Sequence, residues 1–232
     1  QSSRCASVSR STRTKHIVVL GGLLLAVRSF SSGAMAQLLR GGAAGSARSV
    51  IDVQSPRLQK DGDRVGWMRS VMSGLPKGGV GPFLMLDHWG GTYGPREAVS
   101  GSDHPHRGQE TVSYIVQGGI HHEDSAGNEG WLREGWVQWM TAGSGVMHSE
   151  MHVDELWENG GTCEGFQLWV NLLAKDKMVD PRYQDTPPDR IPKVATPDGR
   201  GTVSVIAGEA LGTKATITTR TPLMYLDVSL SG

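Results

Sequence analysis

From Asp52 onward the chain alternates apolar and polar residues over short runs, and each run ends at a turn signal. In TVSYIVQ (111–117), Val112, Tyr114 and Val116 share one face and Ser113 and Gln117 the other, the period of a strand with two unlike sides. Gly81-Pro82 precedes FLMLDHW, Gly118-Gly119 follows TVSYIVQ, and Gly160-Gly161 stands upstream of GFQLWVNL. Strands at this spacing predict an all-β sandwich or barrel. No stretch of the body keeps a helical period with caps, and residues 171–183 have room for a turn of helix at most. Residues 176–201 hold five of the eleven prolines and read as an irregular connector, with a second unit from 202 to 232.

Upstream of this pattern the chain changes character. Residues 1–51 carry seven Lys/Arg and no acid, with an apolar run at 17–27 and an A-x-A pattern at Ala34-Met35-Ala36. That reads as a disordered, removable leader, for secretion or for an organelle. The run is too short for a bilayer-spanning helix, which needs about 20 residues. Setting those seven aside leaves 16 basic residues against 23 acids, so the remaining chain is acidic and direct nucleic-acid binding is disfavoured. Cys5 and Cys163 are the only cysteines, one on each side of the boundary, which excludes a disulfide framework in the body.

Two short motifs carry the chemistry. His104-Pro105-His106 puts two imidazoles at i and i+2, on the same side of an extended backbone, and His148-Ser149-Glu150 repeats the device. Three nitrogens and a carboxylate suit one divalent ion among Fe, Mn, Co, Ni, Cu and Zn, with positions left for water, oxygen or substrate. Glu110 has the same parity as His104 and His106, so it is either an alternative carboxylate ligand or a hydrogen-bond acceptor behind them. His152 is expected at the rim, His121 and His122 in solvent, His88 as a bonded core or rim residue, and Cys163 as a free thiol without a catalytic role.

The segments DHPHRGQETVSYIVQGG (103–119), VQWMTAGSGVMHSEM (137–151) and QLWVNL (167–172) resemble the pirin family. The resemblance extends through GPFLMLDHW (81–89), KMVDPRYQ (177–184), VIAG (205–208) and TPLMYLDVSL (221–230), covering about 60–232. It implies a cupin, a jelly-roll-like β-barrel: an N-terminal barrel over 52–175, a connector over 176–201 and, from 202 to 232, the start of a second barrel that is cut short. It places the metal, Fe(II) by family, on His104, His106, His148 and Glu150, not on the Glu110 of the wider cupin pattern. It also implies either a quercetin 2,3-dioxygenase activity on flavonol and O2 or a non-enzymatic, iron-redox-sensing role with a transcription-factor partner, in cytoplasm and nucleus. In the dioxygenase reading Glu150 doubles as the catalytic base, and Trp139, Met140, Phe166 and Trp169 are candidate walls for a flat ring. A manganese cupin of germin type, with Glu110 as ligand, is the third reading. The chain departs from the general cupin pattern at Gly143, where proline is usual, and in the seven residues between Glu110 and Gly118. Within the pirin pattern, Gln109 replaces an aromatic and Ser144 an arginine.

Overall fold

Where the chain alternates it forms strands. The computed structural model describes residues 66–72, 80–97 and 101–230, and the backbone of four further strands nearer the N-terminus. Those four are β1 (Lys15–Leu20), β2 (Leu23–Ala26), β3 (Val53–Gln54) and β4 (Gln59–Lys60). They are followed by β5 (Trp67–Ser70), β6 (Phe83–Tyr93), β7 (Gly101–His106), β8 (Gln109–Gln117), β9 (Gly119–Asp124), β10 (Glu129–Arg133), β11 (Val137–Thr141) and β12 (Val146–His152). After a short helix, α1 (Asp154–Asn159), come β13 (Gly161–Asn171), β14 (Arg182–Thr186), β15 (Lys193–Ala195), β16 (Gly201–Ala207), β17 (Glu209–Ala210), β18 (Thr213–Lys214) and β19 (Tyr225–Leu230).

A seven-stranded sheet in the order β14-β11-β8-β13-β6-β5-β4 faces a four-stranded sheet, β10-β9-β12-β7, in jelly-roll fashion. Between them lie Ile115, Ile120, Leu132, Val153 and Cys163, an apolar floor beneath a more polar upper layer. The larger sheet is buried on its other side too. Val112, Tyr114, Val137, Trp139, Phe166 and Leu168 pack there against Ile206, Ala207, Ile217 and Tyr225 of the C-terminal segment. Burial on both faces explains why every residue of β11, VQWMT, is buried although its sequence alternates weakly. Tyr114 crosses this interface and donates its hydroxyl to Asp227 at 2.8 Å.

Two glycines answer local demands. Gly118, at φ 77°, turns β8 into β9 where a Cβ would press on the Thr162 carbonyl at 2.5 Å. Gly143, at φ 51°, is the departure from the cupin proline: proline cannot adopt that φ, and a Cβ would collide with the Val179 carbonyl.

Several expectations are revised. The connector at 176–201 contributes two strands, β14 completing the edge of the large sheet beside β11 and β15 pairing with β16. Within residues 1–51 lie β1 and β2, ten residues of which eight are apolar, and β1 pairs along the whole of β19. β19 is therefore flanked by β16 and β1. The Ala34-Met35-Ala36 pattern lies outside the described residues. The turn expected near 171–183 is the single 3₁₀ turn Ala174–Asp176, whereas α1, too short to leave a helical period in the sequence, was not anticipated.

Candidate metal centre

His104 and His106 sit two apart on β7, and the neighbouring antiparallel strand β12 sets His148 directly opposite His104. Three imidazoles thereby converge from two strands. Their candidate ligand nitrogens all lie within 4.8 Å of one another. The rings are mutually tilted by 58° to 84°, with centroids 4.5 to 4.9 Å apart, so they surround a common point instead of stacking. His106 and His148 are buried at 5% and 2% exposure, and His104 is half-buried.

The hydrogen bonds indicate which nitrogen of each ring is available. His104 Nδ1–H donates to the Ser102 carbonyl at 2.8 Å, leaving the Nε2 lone pair free. That Nε2 lies 3.1 Å from His148 Nε2. His106 Nδ1 faces the Gln109 amide at 3.2 Å, while His106 Nε2 is buried with no bonded partner. Burial pushes His106 down to about 4, the charges of His148 and His104 acting in the same direction and Glu150 against them. His148 is likewise held at about 4, by burial first and then by His104 and His122, with Asp124 opposing. Both rings are therefore neutral at pH 7, the state in which imidazole ligates a metal. An orphaned buried nitrogen and two further ring nitrogens in contact beside it are what a divalent transition ion would satisfy.

Glu150 stands beside this group but not within it. β12 is irregular between His148 and Glu150 in its pairing with β7, and the carboxylate reaches instead toward the large sheet. Oε1 accepts from Ser113 Oγ at 2.9 Å and Oε2 from Gln167 Nε2 at 3.3 Å. Ser113 Oγ also lies 2.7 Å from Gln167 Oε1.

Glu110 is elsewhere. The turn at Arg107-Gly108 resets the parity carried over from β7, so Glu110 falls with Val112 and Tyr114 on the far face of β8. There its Oε1 accepts from Thr141 Oγ1 at 2.7 Å. Burial raises its carboxyl, opposed by Thr141 and Trp139 and more weakly by Arg182 and Arg220. Its expected place beside the histidines, as ligand or as acceptor behind them, is ruled out by the sheet between.

The remaining candidates divide in the same way. Trp169 sets its edge against His106 at 5.3 Å, and Met140 lies on the same inner face, beside Tyr183. Trp139 and Phe166 face the C-terminal segment and line no part of the centre. His88 bonds Glu164 at 2.8 Å and stacks on Phe166, as a core residue. His152 is buried against Tyr93 instead of standing at the rim. His122, expected in solvent, is 1% exposed, stacked on Tyr183 and 3.5 Å from Asp185. Its parity relative to His121 carried that signal. His121 turns outward, stacks on Trp131 and forms with Glu123 and Glu129 a second, surface group of potential ligands. Cys163 is buried in β13 and its thiol is pushed up to about 11, chiefly by burial, which keeps it unreactive. Among the described residues, no helix is long and apolar enough to cross a membrane.

Comparison with known proteins places this centre in context. Residues 67–170 match the family model described as Pirin. Over 184 residues the chain is 46% identical to a pirin-like protein of Solanum lycopersicum, covering 79% of this chain and 59% of that one. It is 44% identical over 189 residues to pirin of Homo sapiens, covering 80% and 60% respectively. A solved structure of quercetin 2,3-dioxygenase from Acinetobacter baumannii superposes with a TM-score of 0.67 at 38% identity, covering 75% of this chain and 62% of that one. The chain spans about three-fifths of the length of these relatives.

Proposed function

The chain belongs to the pirin family of cupins, and from that premise we propose that it is a flavonol dioxygenase of the quercetin 2,3-dioxygenase type, holding one divalent ion, Fe(II) by preference, on His104, His106, His148 and Glu150. The observation that carries this reading is the convergence of three imidazoles, those of His106 and His148 held neutral by burial, with their candidate ligand nitrogens within 4.8 Å. When bound, the ion supplies Lewis-acid and one-electron redox chemistry. The quercetin 2,3-dioxygenase that this fold resembles supports a flavonol and oxygen as substrates.

The protein's own contribution is a place for a proton. Ser113, Gln167 and Glu150 form a closed ring of three contacts, at 2.9, 2.7 and 3.3 Å. With Glu150 ionised, the single hydroxyl proton and one end of the amide satisfy two of the three. A proton on Glu150 Oε2, with the Gln167 amide turned to present its oxygen, satisfies all three. The ring therefore has a place for a proton on Glu150, which a general base for the flavonol hydroxyl needs. Trp169 and Met140 give the same face an apolar wall suited to a flat ring.

The test is aerobic incubation of metal-loaded protein with quercetin. Flavonol should disappear with release of carbon monoxide, both should stop on chelation, and Glu150→Gln should lower kcat more than it raises KM. Metal-loaded protein that binds quercetin yet releases no carbon monoxide would replace the enzyme by the redox-sensing reading.

A further inference from the structure

Within the proposed metal site the three histidines are not equally committed to ligation. An imidazole binds a metal through one nitrogen only when its proton sits on the other, and the group facing that other nitrogen sets the choice. His104 is fixed, because its Nδ1 faces a backbone carbonyl, which only accepts. His106 is different. Its Nδ1 faces Nε2 of the Gln109 side-chain amide at 3.2 Å, and a half-turn of the amide puts its oxygen, an acceptor, in the same place.

The two arrangements have different consequences at Nε2. With the amide nitrogen toward Nδ1, the ring proton must sit on Nε2, where it is buried, unbonded and aimed into the triad. With the amide oxygen toward Nδ1–H, Nε2 presents a lone pair to the ion and the hydrogen bond makes the ring a stronger donor. The backbone of Gln109 is held in place: its main-chain carbonyl accepts from Ala142 N at 3.0 Å, and it pairs across the sheet with Asn171. The aromatic residue of the pirin pattern at this position would have no side-chain amide to face His106 Nδ1.

We propose that Gln109 is a positioning residue that sets the tautomer of His106 through its amide oxygen and so strengthens His106 as a metal ligand. This rests on the reading of His106 as a ligand. The test uses zinc(II) alone, whose affinity is measured by chelator competition on the full chain, with His106 Nδ1–H followed by NMR in the zinc-loaded protein. Gln109→Leu and Gln109→Phe should weaken zinc by about 10-fold or more and speed exchange of the Nδ1 proton with solvent. Gln109→Glu, whose carboxylate also accepts from Nδ1–H, should keep near-native affinity and a protected Nδ1 proton. Equal weakening in all three variants would show a packing role and overturn the proposal, as would native affinity with an unchanged Nδ1 signal in Gln109→Leu. Retention of zinc by His106→Ala would overturn the ligand reading itself, whereas zinc lost in His106→Ala but untouched by Gln109→Leu would overturn only the role of Gln109.

Discussion

Replacing Thr141 by Val separates the two faces of the large sheet. Thr141 and Glu110 are both fully buried, and the hydroxyl donates to Glu110 Oε1 at 2.7 Å. Valine keeps the shape but leaves a buried carboxyl oxygen without its donor, at a cost of about 1–3 kcal/mol. Taking about 2 kcal/mol, the thermal midpoint of a chain of this size should fall by about 4–8 °C. The deficit should also depend on pH. Burial raises the folded-state pKa of Glu110, so its contribution to stability is complete below the ordinary carboxylate range and is lost as pH rises through the raised value. Thr141 opposes that rise, and without it the loss extends to higher pH. Urea denaturation should therefore show a larger difference from wild type at about pH 8 than at about pH 5, with metal content unchanged at the higher pH. A Thr141→Val protein that denatures like wild type but sheds its metal would show that Glu110 belongs to the centre after all.

The other outcomes are as direct. Alanine at His104, His106 or His148 should abolish stoichiometric metal, Glu150→Gln should weaken it, and Glu110→Gln should retain it, as read by elemental analysis; the reverse for the two glutamates would favour the germin-like arrangement. Tyr114→Phe removes a buried bond to Asp227 between barrel and C-terminal segment and should cost about 1.5–3 kcal/mol in urea denaturation, whereas an unchanged midpoint would show that the 2.8 Å contact contributes nothing. Cys163 should resist iodoacetamide in the native protein at about pH 8 and react on unfolding, and rapid native labelling of its peptide would contradict a thiol held at about 11 by burial.

Much of this was legible in the chain because strand parity is a local rule. His104-Pro105-His106 and His148-Ser149-Glu150 each lie within one strand, so alternation was enough to draw attention to His104, His106 and His148, which the fold brings together, whereas Glu150 follows an irregularity in β12 and stands beside them. Glu110 was misread because parity does not survive a turn, and Arg107-Gly108 intervenes between its strand and that of His106. Trp139 and Phe166 are unsuitable as walls because the sheet is covered on both sides, a fact that depends on residues distant in sequence at Ile206 and Tyr225. His122 failed for a related reason: beside His121 in an acidic run it looks solvated, but β9 is paired on both edges and turns His122 inward next to Glu150. The ring of Ser113, Gln167 and Glu150 joins three strands, and no sequence spacing announces it.

X-ray absorption and anomalous diffraction on the iron-loaded protein would locate the ion and identify its donors. One ion per chain is expected, bound to nitrogen of His104, His106 and His148 with a carboxylate oxygen of Glu150 as the fourth protein donor. An ion bound instead by His121, Glu123 and Glu129, or none at His104, His106 and His148, would contradict the assignment of the site and the chemistry built on it.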